Sequence, residues 1–295
     1  MTAHHLTETA RATLTLSDAE RISRIRSARW IGYTRAKQIL EKLENLLTYP
    51  KKHRMPNLLI VGETNNGKTM TVNRFQTLHP PSEEPEGIVL PVLVVQAPPT
   101  PDEVRFYNTI LETLVAPYKP RDRIDTKQFQ AIRILTRIQT RMLIIDEIQH
   151  IIAGNLNKQR NFLNSIKYIG NELQIPIVGV GTQEAFNAVQ TDRQLANRFE
   201  PALLPKWQMG KEYLKLLASF ERMLPLRKPS NLIGNTLALK LLSMSGGIIG
   251  ELSEILSRAA VKAIETGGEC ITAKLLESID WTHPLERKRM ARENV

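Results

Sequence analysis

The sequence predicts an α/β fold: a central parallel sheet flanked by helices, followed by a small all-helical module. Three stretches carry that prediction. Leu58 to Val61 is a short apolar run. It leads into Gly62-Glu63-Thr64-Asn65-Asn66-Gly67-Lys68-Thr69 and then a helical pattern from Met70 to Leu78. That is the strand–loop–helix setting a G-x-x-x-x-G-K-T phosphate-binding loop requires. Met142-Leu143-Ile144-Ile145-Asp146-Glu147 is a second apolar run, ending in two adjacent acids. From about Met209 the composition changes, and helical segments near 211–223, 234–244, 248–266 and 272–279 follow without further strands.

Bulk properties narrow the function classes. The chain has 295 residues, which suits one large or two modest domains, and 42% of them are hydrophobic, enough for a sizeable core. Aromatics are only 5%, so that core should be aliphatic. The single cysteine, Cys270, excludes an internal disulfide framework and a multi-cysteine metal site, and suits a reducing cytoplasm. Met1-Thr2-Ala3-His4-His5 lacks the basic start and apolar run of a signal peptide. No apolar stretch approaches the roughly 20 residues that span a bilayer, so no membrane role is expected. Forty Lys+Arg against thirty Asp+Glu give a net charge of +10, which in a phosphate-loop protein suggests a polyanionic partner such as nucleic acid.

In chain order, residues 1–15 look polar and unpatterned. Ser17-Asp18-Ala19-Glu20 is a capping box, with Leu16 as a staple, opening a helix to about Ala28. Its arginines, Arg21, Arg24 and Arg26, with Arg29 just beyond, are either a solvated face or a contact to DNA or a second subunit. Trp30-Ile31-Gly32-Tyr33 interrupts the pattern. Such an aromatic kink before the first strand suits an adenine ring, with Ile31 and Tyr33 as candidates; the alternative is plain core. A helix resumes to Leu47, and Pro50-Lys51-Lys52-His53-Arg54 is a basic connector into the first strand. Pro80 to Gly87 reads as an exposed acidic loop, and Val89 to Val95 as a strand covered on both faces. Pro101-Asp102-Glu103 opens a helix to about Val115. Tyr118 to Lys127 is a basic loop. Arg105, Lys119, Arg121, Arg123 and Lys127 are the DNA-contact candidates; simple exposure is the competing reading. Asn155 to Leu173 reads as a helix, Ile175 to Gly181 as a buried strand, and Ala202-Leu203-Leu204 as the last strand. The expected division is residues 1–15 as a free terminus and 16–208 as the α/β nucleotide-binding domain with an N-terminal helical extension. Residues 209–281 form the helical module, and 282–295 a basic tail without structure.

The chemistry follows from residue types. Gly62 and Gly67 let the loop turn tightly, and Glu63, Thr64, Asn65, Asn66 and Met70 supply the rest of the loop and helix start that would cradle phosphates. Lys68 would reach the β- and γ-phosphates of ATP, and Thr69 would hold Mg²⁺ together with Asp146. A strand's period puts Glu147 on the side opposite Asp146, free to polarise a water. Thr182 stands where a side chain senses a γ-phosphate or caps the helix from Gln183. Asp192 to Phe199 carries Arg193 and Arg198. In a ring or filament one of them, Arg198 by preference, would reach the neighbouring subunit's γ-phosphate as an arginine finger.

Taken together, these motifs resemble an AAA+ ATPase. More narrowly the chain resembles the TniB/TnsC family, ATPase regulators of DNA transposition. The stretches that carry the likeness are Gly62 to Thr69, Leu143 to His150, Val178 to Thr182, Leu195 to Phe199 and Gly247 to Leu252. The resemblance implies a bacterial cytoplasmic protein that assembles with ATP on double-stranded DNA as a ring or helical filament. It also implies contacts with a transposase and a target-selection protein of the TniQ type, and stimulated ATP hydrolysis. Glu251 departs from the pattern, standing where many AAA+ lids carry an arginine, which argues against strong intrinsic turnover. An AAA+ loader or initiator of replication and a non-hydrolysing ATP switch are the rival readings.

Overall fold

The computed structural model describes residues 4–191 and 197–293. The chain divides into two units. Arg35 to Leu204 form the α/β unit; residues up to Thr34 and from Pro205 onward form the helical unit.

In the α/β unit, helix α3 (Thr34–Leu47) precedes β1 (Asn57–Gly62) and α4 (Lys68–Leu78). Then come β4 (Val92–Gln96), α5 (Glu103–Thr113), α6 (Ile124–Arg137), β5 (Met142–Asp146) and a 3₁₀ turn at Ile148–Ala153. Helix α7 (Leu156–Leu173), β6 (Ile177–Gly181), α8 (Gln183–Thr191) and β7 (Phe199–Leu204) complete it. The sheet order is β4-β5-β6-β1-β7, and every pairing in it is parallel. Burial on both faces explains the near-continuous aliphatic runs: Leu58, Leu59, Ile60, Met142, Leu143, Ile144 and Ile145 are all buried.

The acidic segment expected as a loop is instead an antiparallel hairpin, β2 (Ser82–Glu84) with β3 (Gly87–Val89). Gly87, at φ +129°, closes its turn. The strand predicted from Val89 therefore starts at Val92, because Val89 pairs with Ser82 and not with the main sheet.

The helical unit holds α1 (Glu8–Thr13), α2 (Asp18–Arg26), α9 (Lys211–Met223), α10 (Asn235–Ser245), α11 (Ile249–Glu265), α12 (Ala273–Glu277) and α13 (Pro284–Glu293). The N-terminal helices, which the sequence pattern attaches to the α/β domain, belong here. Residues 4–15 are not free: Leu6 and Ala10 are buried, and the Thr7 N–H donates to the Arg222 carbonyl at 2.8 Å. The basic tail, expected without structure, is helix α13.

Arg21 and the apolar Ile22 and Ile25 together join α2 to the C-terminal helices. The Arg21 side chain is fully buried and donates twice to Glu269, at 2.9 and 2.6 Å, and to the Pro225 carbonyl at 2.7 Å. Arg21 is therefore a structural residue and not a DNA contact. Burial alone would raise the Glu269 carboxyl. The Arg21 guanidinium and the Arg227 N–H outweigh it and hold that carboxyl below the ordinary range.

Removing Glu269 leaves the buried Arg21 with only the largely exposed Asp18 carboxylate, at 2.9 Å, and the Pro225 carbonyl, and losing the buried partner of such a pair costs up to about 3–5 kcal/mol. Glu269→Leu is thus expected to shift the urea midpoint of the helical unit sharply downward; an unchanged midpoint would contradict this role. Because the folded-state value is lowered, the wild-type contribution is present above about pH 4.3 and fades as pH falls through the folded value. The variant should lose that pH dependence.

Candidate functional site

The carboxyl ends of β1, β5 and β6 bring the predicted residues to one edge of the sheet. Parallel registers set this: Val61 pairs with Gly181, and Ile145 with Gly179. The edge of a parallel sheet where strands end is where such folds bind ligands.

The loop after β1 is built as its sequence requires. Asn65 has φ +62° and Gly67 φ +84°, so two left-handed residues fold the chain back over β1. Gly67 is the N-cap of α4 and offers no side-chain cap, which leaves the helix's first N–H groups for an anion. Asn66 is buried and pins the loop by donating from Nδ2 to the Leu204 carbonyl at 2.8 Å. Thr64 and Met70 are exposed.

Lys68 folds back on the loop, donating from Nζ to the carbonyls of Gly62 (2.9 Å) and Glu63 (2.8 Å). Burial pushes its ammonium below the ordinary lysine range; the carboxylates of Glu147, Asp146 and Glu63 pull the other way. Thr69 Oγ1 donates to Asp146 Oδ2 at 2.8 Å. A hydroxyl and a carboxylate thus converge from α4 and β5, two strands apart in the sheet. This set fits Mg²⁺, which takes one or two protein oxygens and completes its shell with water and phosphate. Among the described residues no cluster of three or more His, Cys, Asp or Glu could hold a metal by itself.

Glu147 departs from the expected geometry. The strand ends at Asp146, and Glu147 adopts φ +55°, ψ +35° at the head of the 3₁₀ turn. Alternation along a strand therefore does not aim its side chain; the left-handed backbone does. Its N–H donates to Asp146 Oδ1 at 2.8 Å, and its carboxylate accepts from the Gln149 amide, a partner the sequence did not suggest. Thr182 Oγ1 is buried with no hydrogen-bond partner among the described residues, so it does not cap α8 and is left for a ligand. A Cβ on Gly181 would lie 2.8 Å from both Ala185 Cβ and Gln149 Oε1, which is why this strand end is glycine.

Arg198 lies at the opposite end of the sheet. It immediately precedes β7, and its Nη1 donates to Asn171 Oδ1 at 3.1 Å. A strand of six residues spans about 20 Å, so Arg198 cannot serve the phosphate loop of its own chain. Arg193 falls outside the described residues. Ile31 and Tyr33 pack on the core of the helical unit, Tyr33 edge-on to Trp207 at 5.1 Å, with its hydroxyl pushed up to about 12 by burial. Glu251 accepts from Arg287 within that unit.

The DNA candidates divide. Arg105, Lys119, Arg121 and Arg123 are exposed; Arg105 lies 3.8 Å from Asp102, and Arg123 3.6 Å from Asp125. Lys127 is not a surface cation: it is 0% exposed, sits over the Tyr118 ring, and donates to the Pro120 carbonyl at 3.0 Å. Its place on the inner face of α6 makes it a clamp for the loop that carries Lys119, Arg121 and Arg123. Sequence reading missed Phe129, exposed on α6 under the Arg133 guanidinium.

With this geometry in view, comparison with known proteins is decisive for the family. The profile described as "Bacterial TniB protein" matches residues 21–209. The chain belongs to the TniB family. No curated protein sequence is detectably similar to this TniB member. Its fold is that of the AAA+ P-loop proteins, a parallel five-stranded sheet flanked by helices with a helical C-terminal region. It is similar to the ADP form of the ORC2 protein of Aeropyrum pernix, with a TM-score of 0.63 at 16% identity over 90% of this chain and 74% of that one. It is similar to Cdc6p of Pyrobaculum aerophilum (0.59, 16%, 87% and 68%) and to Drosophila ORC bound to DNA (0.57, 14%, 94% and 67%). Such identities establish a shared fold alone. No helix among the described residues is long and apolar enough to cross a membrane.

The contact at Gly181 gives a stability test. Gly181→Ala is expected to destabilise the α/β unit by about 1–3 kcal/mol through overpacking against Gln149 and Ala185. Thermal unfolding measures it; an unchanged Tm would show that Gln149 yields freely.

Proposed function

We propose that this TniB-family chain is an ATPase that regulates DNA transposition, assembling with ATP on double-stranded DNA and linking a target-selection protein of the TniQ type to a transposase. The observation that carries the reading is the convergence of Lys68, Thr69 and Asp146 at one sheet edge in a chain of this family. Lys68 and the N–H groups of the loop bind the β- and γ-phosphates. Thr69 and Asp146 hold Mg²⁺, which would neutralise charge on the phosphates. Glu147 releases Gln149 and orients a water toward the γ-phosphate, with Thr182 contacting the same group. Arg198 acts on the nucleotide of a neighbouring subunit, as its place at the far end of the sheet supports, so hydrolysis depends on assembly. Arg105, Lys119, Arg121 and Arg123 meet the DNA backbone with little reading of sequence, and binding weakens steeply with salt.

A replication loader or initiator is the second reading, supported by the fold shared with ORC and Cdc6 proteins. The family match is narrower than that likeness and favours transposition.

Glu147→Gln is expected to retain ATP and DNA binding and to lose turnover by about a hundredfold or more. Lys68→Ala should lose ATP-dependent DNA binding altogether. Steady-state phosphate release and filter binding check both. Normal hydrolysis by Glu147→Gln, or full ATP-dependent DNA binding by Lys68→Ala, would contradict the assigned roles.

A further inference from the structure

Arg198 is not alone at its end of the sheet. The parallel register of β1 and β7 pairs Asn57 with Phe199, and the Asn57 N–H donates to the Arg198 carbonyl at 2.9 Å. The connector entering β1 therefore runs beside the connector entering β7. Both are basic. Together they line an open cleft of about 590 Å³, with Tyr49, Lys52, Arg54, Met55, Asn197 and Arg198 among its walls.

Among the described residues, the charge in this cleft is uncompensated: its lining contains three cationic side chains and no carboxylate. Among the described residues, no ion pair engages Lys52, Arg54 or Arg198. Arg198 donates only to a neutral amide oxygen, and Lys52 Nζ donates to the Tyr49 hydroxyl at 3.1 Å and lies 5.0 Å from its ring centroid. Lys52 and Arg54 are exposed, whereas neighbouring Met55 is buried and its sulfur accepts the Lys52 N–H at 3.2 Å. A fixed backbone thus presents movable cations beside Arg198. Elsewhere on the surface, basic side chains such as Lys42, Arg258 and Lys240 have carboxylate partners.

We infer that Lys52 and Arg54 act with Arg198 as one cationic cluster that grips the triphosphate bound by a second copy of this chain. The inference rests on the proposed assembly and extends it: the trans contribution comes from the connectors of two adjacent strands, not from one arginine. Arg54, with its planar fork, binds phosphate oxygens bidentately, and Lys52 adds a point charge. A duplex phosphate is the other source of the same oxyanion chemistry, and the experiment separates the two.

The test mixes full-length variants. Arg54→Ala is expected to bind a fluorescent ATP analogue as wild type does when dilute. Its DNA-stimulated phosphate release should fall by about tenfold or more. Arg54→Lys should recover part of that loss, because charge is retained. Lys68→Ala has no working nucleotide site but an intact cluster. Mixed with Arg54→Ala it should restore hydrolysis well above the sum of the two alone, since its cluster completes the partner's site. Absence of such rescue, or full activity of Arg54→Ala, overturns the inference. So does an equal loss of nucleotide-free DNA binding, which would make Arg54 a duplex contact. If wild type itself hydrolyses nothing with DNA, the proposed function fails first. If Arg198→Ala is inactive while Arg54→Ala is normal, only the cluster fails.

Discussion

Strand β1 is hydrogen-bonded on both sides, to β6 and to β7, and its register with each decides where the chemistry stands. At its carboxyl end the pairing of Val61 with Gly181 puts the phosphate loop next to Thr182, and β5 delivers Asp146 one strand further on. The hydrogen bond from Thr69 to Asp146 then ties α4 to β5 across the intervening strand. At its amino end the pairing of Asn57 with Phe199 gathers Arg54 and Arg198. One strand thus separates the loop that carries Lys68 from the end that carries Arg198 by about 20 Å. No single copy can bring them together, and this separation is the physical reason that head-to-tail association would complete a site.

The phosphate loop and β5 were legible because their signals are local. Glycines at the turn, a lysine and threonine at a helix start, and acids after an aliphatic run each reflect short-range chemistry. Buried runs in a parallel sheet likewise announce themselves. What the sequence concealed depends on long-range contacts. Lys127 and Arg21 look like surface cations, and only the packing of α6 and α2 turns them inward onto Pro120 and Glu269. Leu6 and Ala10 are too few to mark a helix, yet they bury against their own small cluster with Leu14. The hairpin at Ser82–Val89 lacks apolar alternation because both strands are largely exposed. Glu147 escapes the strand's period altogether: a left-handed backbone at the head of the 3₁₀ turn directs it, and no pattern in the sequence announces that.

Three side chains of the site are paired within it. Lys68 is satisfied by loop carbonyls, Thr69 by Asp146, and Glu147 by Gln149. In the proposed function the bonds of Lys68 and Thr69 would give way to phosphate and Mg²⁺, whereas Thr182 Oγ1 has no hydrogen-bond partner among the described residues. The +10 charge and the exposed cations on the loop before α6 would favour a duplex in the proposed assembly.

The central claim is that triphosphate at a subunit junction allows this chain to polymerise on duplex DNA. Electron-microscopic imaging of the full-length protein with duplex at low salt, with a non-hydrolysable ATP analogue and without nucleotide, tests it most directly. The account predicts ordered rings or filaments only with the analogue, with the Arg198 end of one copy facing the phosphate loop of the next. Isolated monomers under both conditions, or identical assemblies without nucleotide, would contradict it.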